Sequence, residues 1–440
     1  MSFDSVPFGS LFSVPQKNGL TRPQKVRGTG LPMVNMGELF ANSRIKNIDM
    51  DLVPVSGAES SFKLEGGDLL FARQSLVLSG AGQCSIFIDN HAPTVFESHI
   101  IRCRLNPEQA DPRFYFYFFR SHAGRTAMET IIEQGAGASG IRGSDLVKLR
   151  VFAPKKKVQN AIADFLTAFD DRIDLLQETN LTLESIIKAL FKSWFMGFDP
   201  VQAKAEGQEP KGLDAGTASL FPDQFEPSEL GFIPKGWTVK PVGEVTQCVG
   251  GGTPDTKIPE YWSPAEFAWS TPRDLSGIEA PVLLKTDRSL SKKGLAKVSS
   301  GLLPAGTLLM SSRAPIGYLA IAQMPLAVNQ GYIAMPPGST LPPLYMLLWC
   351  QYNMETIKNR ANGSTFMEIS KKAFRPIPVV LPAPSVLDAF MAVAEPLFAR
   401  IVENAKQAQT LAGLRDTLLP RLISGQLPLP EAEPLLRDAA

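Results

Sequence analysis

Glycine-rich and polar segments are the parts of this 440-residue chain whose residue types could support catalysis. Gly250-Gly251-Gly252-Thr253-Pro254 lacks the lysine and the following helix of a phosphate-binding loop, so a tight turn is the better interpretation. The stretch from Gly135 to Gly140 contains a serine but not the Gly-x-Ser-x-Gly spacing of a nucleophile elbow. A nuclease motif would require a Pro-Asp pair before its Glu-x-Lys segment, and Glu209-Pro210-Lys211 is not preceded by one. The sequence therefore predicts no catalytic centre in this chain.

Histidine and cysteine are scarce. The three histidines all lie in the first half of the chain, and the nearest two of the four cysteines, Cys84 and Cys103, are 19 positions apart. This spacing excludes a zinc ribbon or a disulfide framework. No secretory leader and no membrane-spanning run is evident, so we expect a cytoplasmic protein with reduced thiols, no bound metal and no membrane association.

The polar residues that recur along the chain suit nucleic-acid recognition. Arg73 and Arg313 each follow a short apolar run, and a guanidinium at a strand end can contact guanine, clamp a phosphate or form a structural salt bridge. Amides, hydroxyls and lysines near these positions add candidate contacts to bases and phosphates, with turn residues and solvated lysines as the alternatives. The full candidate set is Lys25, Arg27, Arg73, Gln74, Ser75, Arg142, Arg273, Lys292, Lys293, Arg313, Gln330, Ser364, Thr365, Lys371 and Lys372.

These candidates must be positioned by a duplicated scaffold. Residues 135–151 match 363–379 at an offset of 228, and the helical stretch 158–197 matches 386–425 at the same offset. Val6-Pro7-Phe8-Gly9 resembles Lys240-Pro241-Val242-Gly243. Each half therefore consists of a Gly/Pro-rich region with short apolar runs, typical of a strand-rich α+β domain, followed by one long helix.

The two long helices carry a coiled-coil pattern of apolar residues and one asparagine each, Asn180 and Asn404. Parallel pairing in register would leave both amides without a partner, at a cost of about 1–3 kcal/mol each. Antiparallel pairing places the two asparagines opposite each other, and this is the arrangement we predict. The residues predicted to mediate helix pairing are Ile173, Asn180, Leu183, Ile401, Asn404 and Leu411.

Charge is unevenly distributed although the whole chain has a net charge of only +1. The first Gly/Pro-rich region has a net charge of +2 and the second +6, whereas the segment between the halves has −5. The excess of basic residues thus lies in the two regions that hold the candidate DNA contacts, as expected if these regions meet a polyanion.

Three segments carry a family resemblance: Ala189-Leu-Phe-Lys-Ser-Trp-Phe195, Phe232-Ile-Pro-Lys-Gly-Trp237 and Leu414-Arg-Asp-Thr-Leu-Leu-Pro-Arg-Leu-Ile-Ser-Gly425. In this order along the chain they resemble the specificity subunit of type I restriction-modification enzymes. The resemblance implies two duplicated target-recognition domains, each followed by a long helix, with the helices paired as an antiparallel coiled coil with pseudo-two-fold symmetry. One departure is that the first domain lacks the Pro-x-x-Trp lead-in found at Pro234 to Trp237, so its first strand is expected to be shorter or differently anchored.

The expected domains follow from the resemblance and the repeat together. They are a first target-recognition domain (1–152), a first spacer helix (153–198), an acidic connector (199–234), a second target-recognition domain (235–381), a second spacer helix (382–426) and a C-terminal tail (427–440).

The resemblance further implies a division of labour. The chain would read a bipartite, asymmetric site in double-stranded DNA, and its helices would set the spacing between the two half-sites. Two DNA methyltransferase subunits and motor-nuclease subunits would be its partners, and S-adenosylmethionine, ATP and Mg²⁺ would be used by them. The apolar residues expected to dock partners are Phe191, Trp194, Phe195, Leu418 and Leu422.

Two alternatives stay open on the residues alone. A protein-binding scaffold could use the same paired helices to recruit partners and the same domains to bind peptides. A free-standing DNA-modifying enzyme would need a cofactor motif, and the sequence contains none.

Overall fold

In the computed structural model, residues 3–135, 137–313, 315–363, 367–429 and 431 are described. The chain forms two compact units. The first contains residues up to 173 together with those from 409 onward, and the second contains residues 174–408. The boundary thus falls inside both long helices, so each unit holds a strand-rich domain and parts of both helices. The predicted α+β class is confirmed.

Among its described residues, the first unit has thirteen short strands and four short α-helices before the first long helix. The strands are β1 (Ser5–Pro7), β2 (Phe12–Asn18), β3 (Leu31–Val34), β4 (Arg44–Lys46), β5 (Leu52–Val53), β6 (Leu69–Ala72), β7 (Gln74–Ser75), β8 (Cys84–Asp89), β9 (Val95–Phe96), β10 (Ile100–Leu105), β11 (Glu133–Gln134), β12 (Ser139–Gly140) and β13 (Arg150–Phe152). The helices are α1 (Met36–Ala41), α2 (Pro112–Arg120), α3 (His122–Glu129) and α4 (Gly143–Lys148).

A five-stranded sheet in the order β2-β10-β6-β8-β4 forms the centre of the first unit. Its central strand β6 is buried on both faces, which explains its uniformly apolar sequence. Helix α2 packs on the sheet and buries six consecutive aromatic residues, from Phe114 to Phe119. Pro112 in its first turn and the Asp111 side chain, which accepts a hydrogen bond from the Arg113 backbone N–H, define its start.

The described part of the second unit has eleven strands and seven short α-helices besides the long ones. The strands are β14 (Phe225–Ser228), β15 (Gly231–Pro234), β16 (Thr238–Pro241), β17 (Phe267–Ser270), β18 (Val282–Leu283), β19 (Arg288–Leu290), β20 (Leu308–Ser311), β21 (Leu319–Ala322), β22 (Ala327–Val328), β23 (Tyr332–Met335) and β24 (Pro378–Leu381). The short helices are α6 (Asp199–Ala205), α7 (Ala215–Ser219), α8 (Val242–Val245), α9 (Lys292–Leu295), α10 (Pro343–Tyr352), α11 (Met354–Asn359) and α12 (Lys371–Phe374).

The strand pairing confirms the internal duplication. In the first unit β1 pairs antiparallel with β13, and in the second β16 pairs antiparallel with β24, so each domain's first strand meets its last. The buried strands β6 and β20 each lie between two antiparallel neighbours. Strand β1 has three residues and β16 four, so the first strand is shorter, as predicted, but it is anchored in the same way.

The long helices are α5 (Lys156–Phe191), extended by a π-helical turn at Lys192–Met196, and α13 (Pro384–Ile423). Both are slightly shorter than the predicted segments. In the second unit the Asn404 side-chain amide donates to Asn180 Oδ1 at 2.9 Å, and the Asn180 amide donates to the Ile401 carbonyl at 3.3 Å. The ring of Phe191, near the end of α5, lies 5.9 Å from that of Phe390, near the start of α13. The predicted antiparallel pairing is therefore confirmed there.

In the first unit a polar network joins the same two helices to α2. Arg415 Nη1 on α13 donates to Asp170 Oδ1 on α5 at 2.5 Å, and the Tyr117 hydroxyl donates to Asp170 Oδ2 at 2.6 Å. Burial alone would lower the pKa of Arg415. The attraction of the Asp170 carboxylate and its hydrogen bond outweigh the effect of burial, so the pKa of Arg415 is raised. The aspartate satisfies two donors at once, so this junction depends on its charge.

The four apolar residues predicted to mediate helix pairing differ in burial. Ile401 and Leu411 are buried, and Ile173 and Leu183 are half-buried.

Among the described residues, none of the helices is long and apolar enough to span a membrane.

The prediction that five apolar residues near the helix ends dock partner subunits is wrong. Phe191, Trp194 and Phe195 are at most 4% exposed within the core of the second unit, and Leu418 and Leu422 are at most 2% exposed in the first. Their side chains are enclosed by this chain itself and offer no surface to a partner.

The physical reason lies in the acidic segment 199–234, which is folded and does not behave as an open connector. It contributes α6, α7 and the β14–β15 hairpin, and Val201, Phe221 and Ile233 join the same core. The Trp194 ring meets Phe221 edge-on, with ring centroids 5.0 Å apart. Covering the end of α5 in this way buries aromatic surface that would otherwise face water.

The asparagine pair yields a test of how the helices are registered. Replacing either Asn180 or Asn404 by Leu leaves the other amide buried without its partner, and we expect the free energy of unfolding to fall by about 1–3 kcal/mol. The double substitution should recover most of this loss, because both positions become apolar. Urea unfolding of the four proteins measures the coupling. Glu178→Leu, at an exposed position on α5, is the control and should change little; additive losses in the double variant would contradict the pairing.

Candidate nucleic-acid interface

In the first unit Arg73 is fixed at the point where β6 ends. Its backbone N–H donates to the His99 carbonyl at 2.8 Å, and its carbonyl accepts from the Ile141 N–H at 2.9 Å. The next two residues form β7, which pairs antiparallel with β12, and β12 pairs with β11. The backbone of Arg73 is thus held from both sides by neighbouring segments.

The side chain of Arg73 is less constrained than its backbone. Within the described part of the chain, its guanidinium makes one hydrogen bond, a long one of 3.5 Å to the Ser98 carbonyl, and no ion pair. Of the interpretations left open by the sequence, a structural salt bridge is therefore absent among these residues, and the guanidinium remains able to bind a ligand.

A polar cavity of about 380 Å³ opens beside Arg73. It is lined by Asn18, Arg73, Gln74, Glu133, Gln134, Gly135, Ala138, Ser139, Gly140, Ile141, Arg142 and Gly143. Three residues predicted to contact DNA, Arg73, Gln74 and Arg142, therefore meet in one place. Arg142 also forms an ion pair with Glu133 at 2.7 Å, and both side chains are more than half exposed, so a phosphate could compete for it.

Sequence reasoning missed the loop that follows β7. Leu76, Val77 and Leu78 are 88%, 60% and 46% exposed. The signal available was a run of three apolar residues directly after Arg73-Gln74-Ser75 and before a Ser-Gly-Ala-Gly turn, where a buried strand is not expected. The Ser75 hydroxyl accepts a hydrogen bond from the Val77 N–H at 3.2 Å, so Ser75 supports this turn.

The second unit assembles an equivalent surface around the end of β20. Arg313 lies 3.8 Å from the Glu368 carboxylate and is 38% exposed, a loose and solvated ion pair. Gln330 Oε1 accepts from the Thr253 hydroxyl at 2.6 Å. A Cβ built on Gly250 would lie 3.0 Å from the Lys371 Nζ, so this lysine lies over the glycine-rich turn.

That turn is held tightly against the sheet. A Cβ on Gly251 would come within 1.6 Å of the Val328 carbonyl oxygen, so only glycine fits there. Arg375 Nη2 donates to the Cys248 carbonyl at 2.6 Å, and burial raises the pKa of the Cys248 thiol to about 11. The thiol is therefore protonated at neutral pH and serves packing. All four cysteines are free and buried.

Several of the residues predicted to contact DNA form ion pairs within the chain or lie outside the two surfaces described above. Arg27 is mostly buried in an ion pair with Asp51 at 2.7 Å, which favours a structural role. Lys293 pairs with Glu260 at 2.5 Å, and this hydrogen bond raises its pKa. Lys25, Lys292 and Lys372 are exposed, and so is Arg273, which lies in the 3-10 turn Pro272–Leu275. Ser364 and Thr365 lie outside the described residues.

No group of three or more potential metal ligands occurs among the described residues. The first surface presents guanidinium and amide groups around a solvent-open cavity, and the second presents guanidinium, amide, hydroxyl and ammonium groups. Such groups can donate hydrogen bonds to base edges and phosphates.

Comparison with known proteins places these surfaces in a family context. The family described as "Type I restriction modification DNA specificity domain" matches the chain twice, at residues 6–185 and 234–386. The type I restriction enzyme HindI specificity subunit of Haemophilus influenzae is 25% identical over 90% of this chain and 94% of its own length. The MjaIX specificity subunit of Methanocaldococcus jannaschii is 35% identical, over 42% of this chain and 43% of its own length.

Among solved structures, the S subunit of the type I restriction-modification system from M. genitalium superposes with a TM-score of 0.56. It is 18% identical, and the match covers 96% of each chain. At this level of identity the likeness concerns the fold.

The packing beside Arg73 yields a local test. A Cβ on Gly140 would lie 2.8 Å from the Arg73 carbonyl oxygen, so Gly140→Ala should push β12 away from Arg73. We expect the amide of Ile141 to exchange with solvent about ten-fold faster, in line with a cost of about 1–3 kcal/mol for overpacking. Gly137→Ala is the control, because nothing lies within 4 Å of the added methyl. Equal exchange rates in the two variants would show that this close approach does not hold the site together.

Proposed function

Because the chain belongs to the type I restriction-modification DNA specificity family, we propose that it recognises double-stranded DNA for a type I restriction-modification complex. Each domain reads one half of a bipartite, asymmetric site. The observation that carries the proposal is the repeated placement of an arginine at the end of a buried central strand, Arg73 after β6 and Arg313 after β20. Each arginine lies in a polar surface, and the two surfaces differ in sequence.

The differences between the two surfaces support recognition of two different half-sites. The first combines Arg73 and Gln74 with a polar cavity, and the second combines Arg313 and Gln330 with a glycine-rich turn under Lys371. Arginine pairs well with the guanine edge and glutamine with the adenine edge in the major groove. A duplicated fold that keeps the arginine and varies its neighbours is suited to reading unlike sequences.

Charge favours the same proposal. The first and second domains have net charges of +2 and +6, while the segment that packs against the end of α5 has −5. Phosphate contacts would supply most of the affinity and make it dependent on salt, whereas contacts to bases would supply the specificity. The excess of acidic residues falls on a segment outside the two proposed contact surfaces.

The remaining roles follow from this proposal. The chain carries recognition, and the modification and motor-nuclease subunits carry the chemistry with S-adenosylmethionine, ATP and Mg²⁺, all in the cytoplasm. Two methyltransferase subunits are expected, one for each half-site. The five residues first expected to dock them are buried, so docking must use other positions. Exposed apolar residues on α5, such as Leu181 and Ile186, are available for this.

Point variants test the assignment of the two domains. Each variant is expressed in cells with the neighbouring modification subunit, and the methylated motif is sequenced. Arg73→Ala should relax or abolish recognition in one half of the motif and Arg313→Ala in the other, because each removes one set of base contacts worth about 1–3 kcal/mol. Arg172→Ala, at an exposed position on α5, is the control and should leave both halves intact. A motif without two parts, or variants that affect the same half, would contradict the proposal.

A change in helix length tests whether the helices set the spacing. Removing one heptad from each helix at facing positions shortens each by about 10 Å. We expect the unread gap to shrink by about three base pairs while both half-sites keep their sequence. The sequenced motif reports both quantities, and an unchanged gap would show that the helices do not set the spacing.

A further inference from the structure

Three successive apolar side chains project from the loop that joins β7 to β8. Leu76 is 88% exposed, Val77 60% and Leu78 46%. Single exposed apolar residues are common on protein surfaces, but a contiguous group at a loop tip marks an interaction site. We call residues Leu76 to Leu78 the apolar tip.

The apolar tip is held in place by hydrogen bonds at its base. The guanidinium of Arg125 on α3 donates to the Ala81 carbonyl at 2.8 Å and to the Leu78 carbonyl at 3.0 Å. The Gly80 N–H donates to the Val77 carbonyl at 3.0 Å. These contacts fix the backbone of the loop, so the outward position of the apolar side chains is built into the fold.

The corresponding loop of the second unit is built differently. It joins β20 to β21 and also begins next to an arginine, but its Ile316 is only 7% exposed. The Ser311 hydroxyl accepts hydrogen bonds from the Gly317 and Tyr318 N–H groups at 3.1 and 2.8 Å and draws the loop back onto the sheet. An exposed apolar tip is therefore a property of the first domain and not a requirement of the duplicated fold.

The neighbours of the apolar tip identify its ligand. Strand β7 separates Arg73 from Leu76, and Gln74 in that strand lines the polar cavity. Guanidinium, amide and apolar side chains thus follow one another along a single stretch of backbone. In the major groove these three groups match guanine, adenine and the 5-methyl group of thymine, respectively.

We propose that the apolar tip, chiefly Leu76, packs against the 5-methyl group of a thymine in the half-site read by the first domain. This inference rests on the proposed DNA-recognition function and specifies which base, thymine, and which of its groups, the 5-methyl, the apolar tip contacts. It requires at least one A·T pair in that half-site. The second domain, whose loop is folded inward, has no equivalent contact from this position.

Duplexes that lack single methyl groups test this inference. The full-length chain, assembled with its modification subunits, is titrated with duplexes carrying the sequenced motif, in which each thymine in turn is replaced by deoxyuridine. We expect one replacement to weaken binding about four-fold, the value of burying one methyl group. In Leu76→Ala the same replacement should have no further effect, because the contact is already lost. Since Leu76 is 88% exposed, this substitution removes little packing from the folded protein.

Leu230→Ala is the matched control, since Leu230 is an exposed leucine in the turn of the β14–β15 hairpin, outside both proposed contact surfaces, and its variant should keep the full response to deoxyuridine. A wild-type complex insensitive to every replacement, an equal response in Leu76→Ala, or a first half-site without thymine would each overturn the inference while leaving DNA recognition intact. Loss of subunit assembly in Leu76→Ala would also overturn it, because the tip would then bind protein. If the wild-type complex binds all duplexes alike whatever their sequence, the proposed function itself fails.

Discussion

The hydrogen bond between Asn180 and Asn404 is the interaction on which the pairing of the long helices in the second unit depends. Burying two amides is favourable only if they meet, and they meet only when the helices are antiparallel in one register. In the second unit that register brings the end of α5 to the start of α13, and in the first unit Asp170 of α5 meets Arg415 of α13.

The two units stabilise their helix pairs with different chemistry. By the repeat offset, Asp170 corresponds to Phe398 and Arg415 to Ile187, so a buried ion pair in one copy is an apolar contact region in the other. Asp170 of this ion pair also accepts a hydrogen bond from the Tyr117 hydroxyl. Removing either charged residue would leave the other partly buried without its partner, which destabilises the fold. A duplicated chain thus kept the same backbone arrangement while its interior diverged, as its two recognition surfaces also did.

The sequence predicted what depends on periodicity and on the repeat: the two domains, the long helices, their direction and the asparagine pair. It failed where burial depends on distant chain segments. Phe191, Trp194 and Phe195 have the composition of a docking surface, but Phe221 and Ile233 from the acidic segment cover them. Similarly, the sequence makes both Arg27 and Arg73 candidate DNA contacts, and only the fold brings Asp51 to Arg27 and leaves Arg73 without an ion pair among the described residues. The apolar tip was missed because its residues belong to neither a helical nor a strand pattern.

The central claim is that one duplicated chain carries two independent readers of DNA sequence. It is tested most directly by replacing residues 1–152 with the first domain of another family member and sequencing the methylated motif in cells that also make the modification subunit. The account predicts that one half of the motif changes completely, while the other half and the gap keep their sequence and length. A motif that changes in both halves, or in neither, would contradict it.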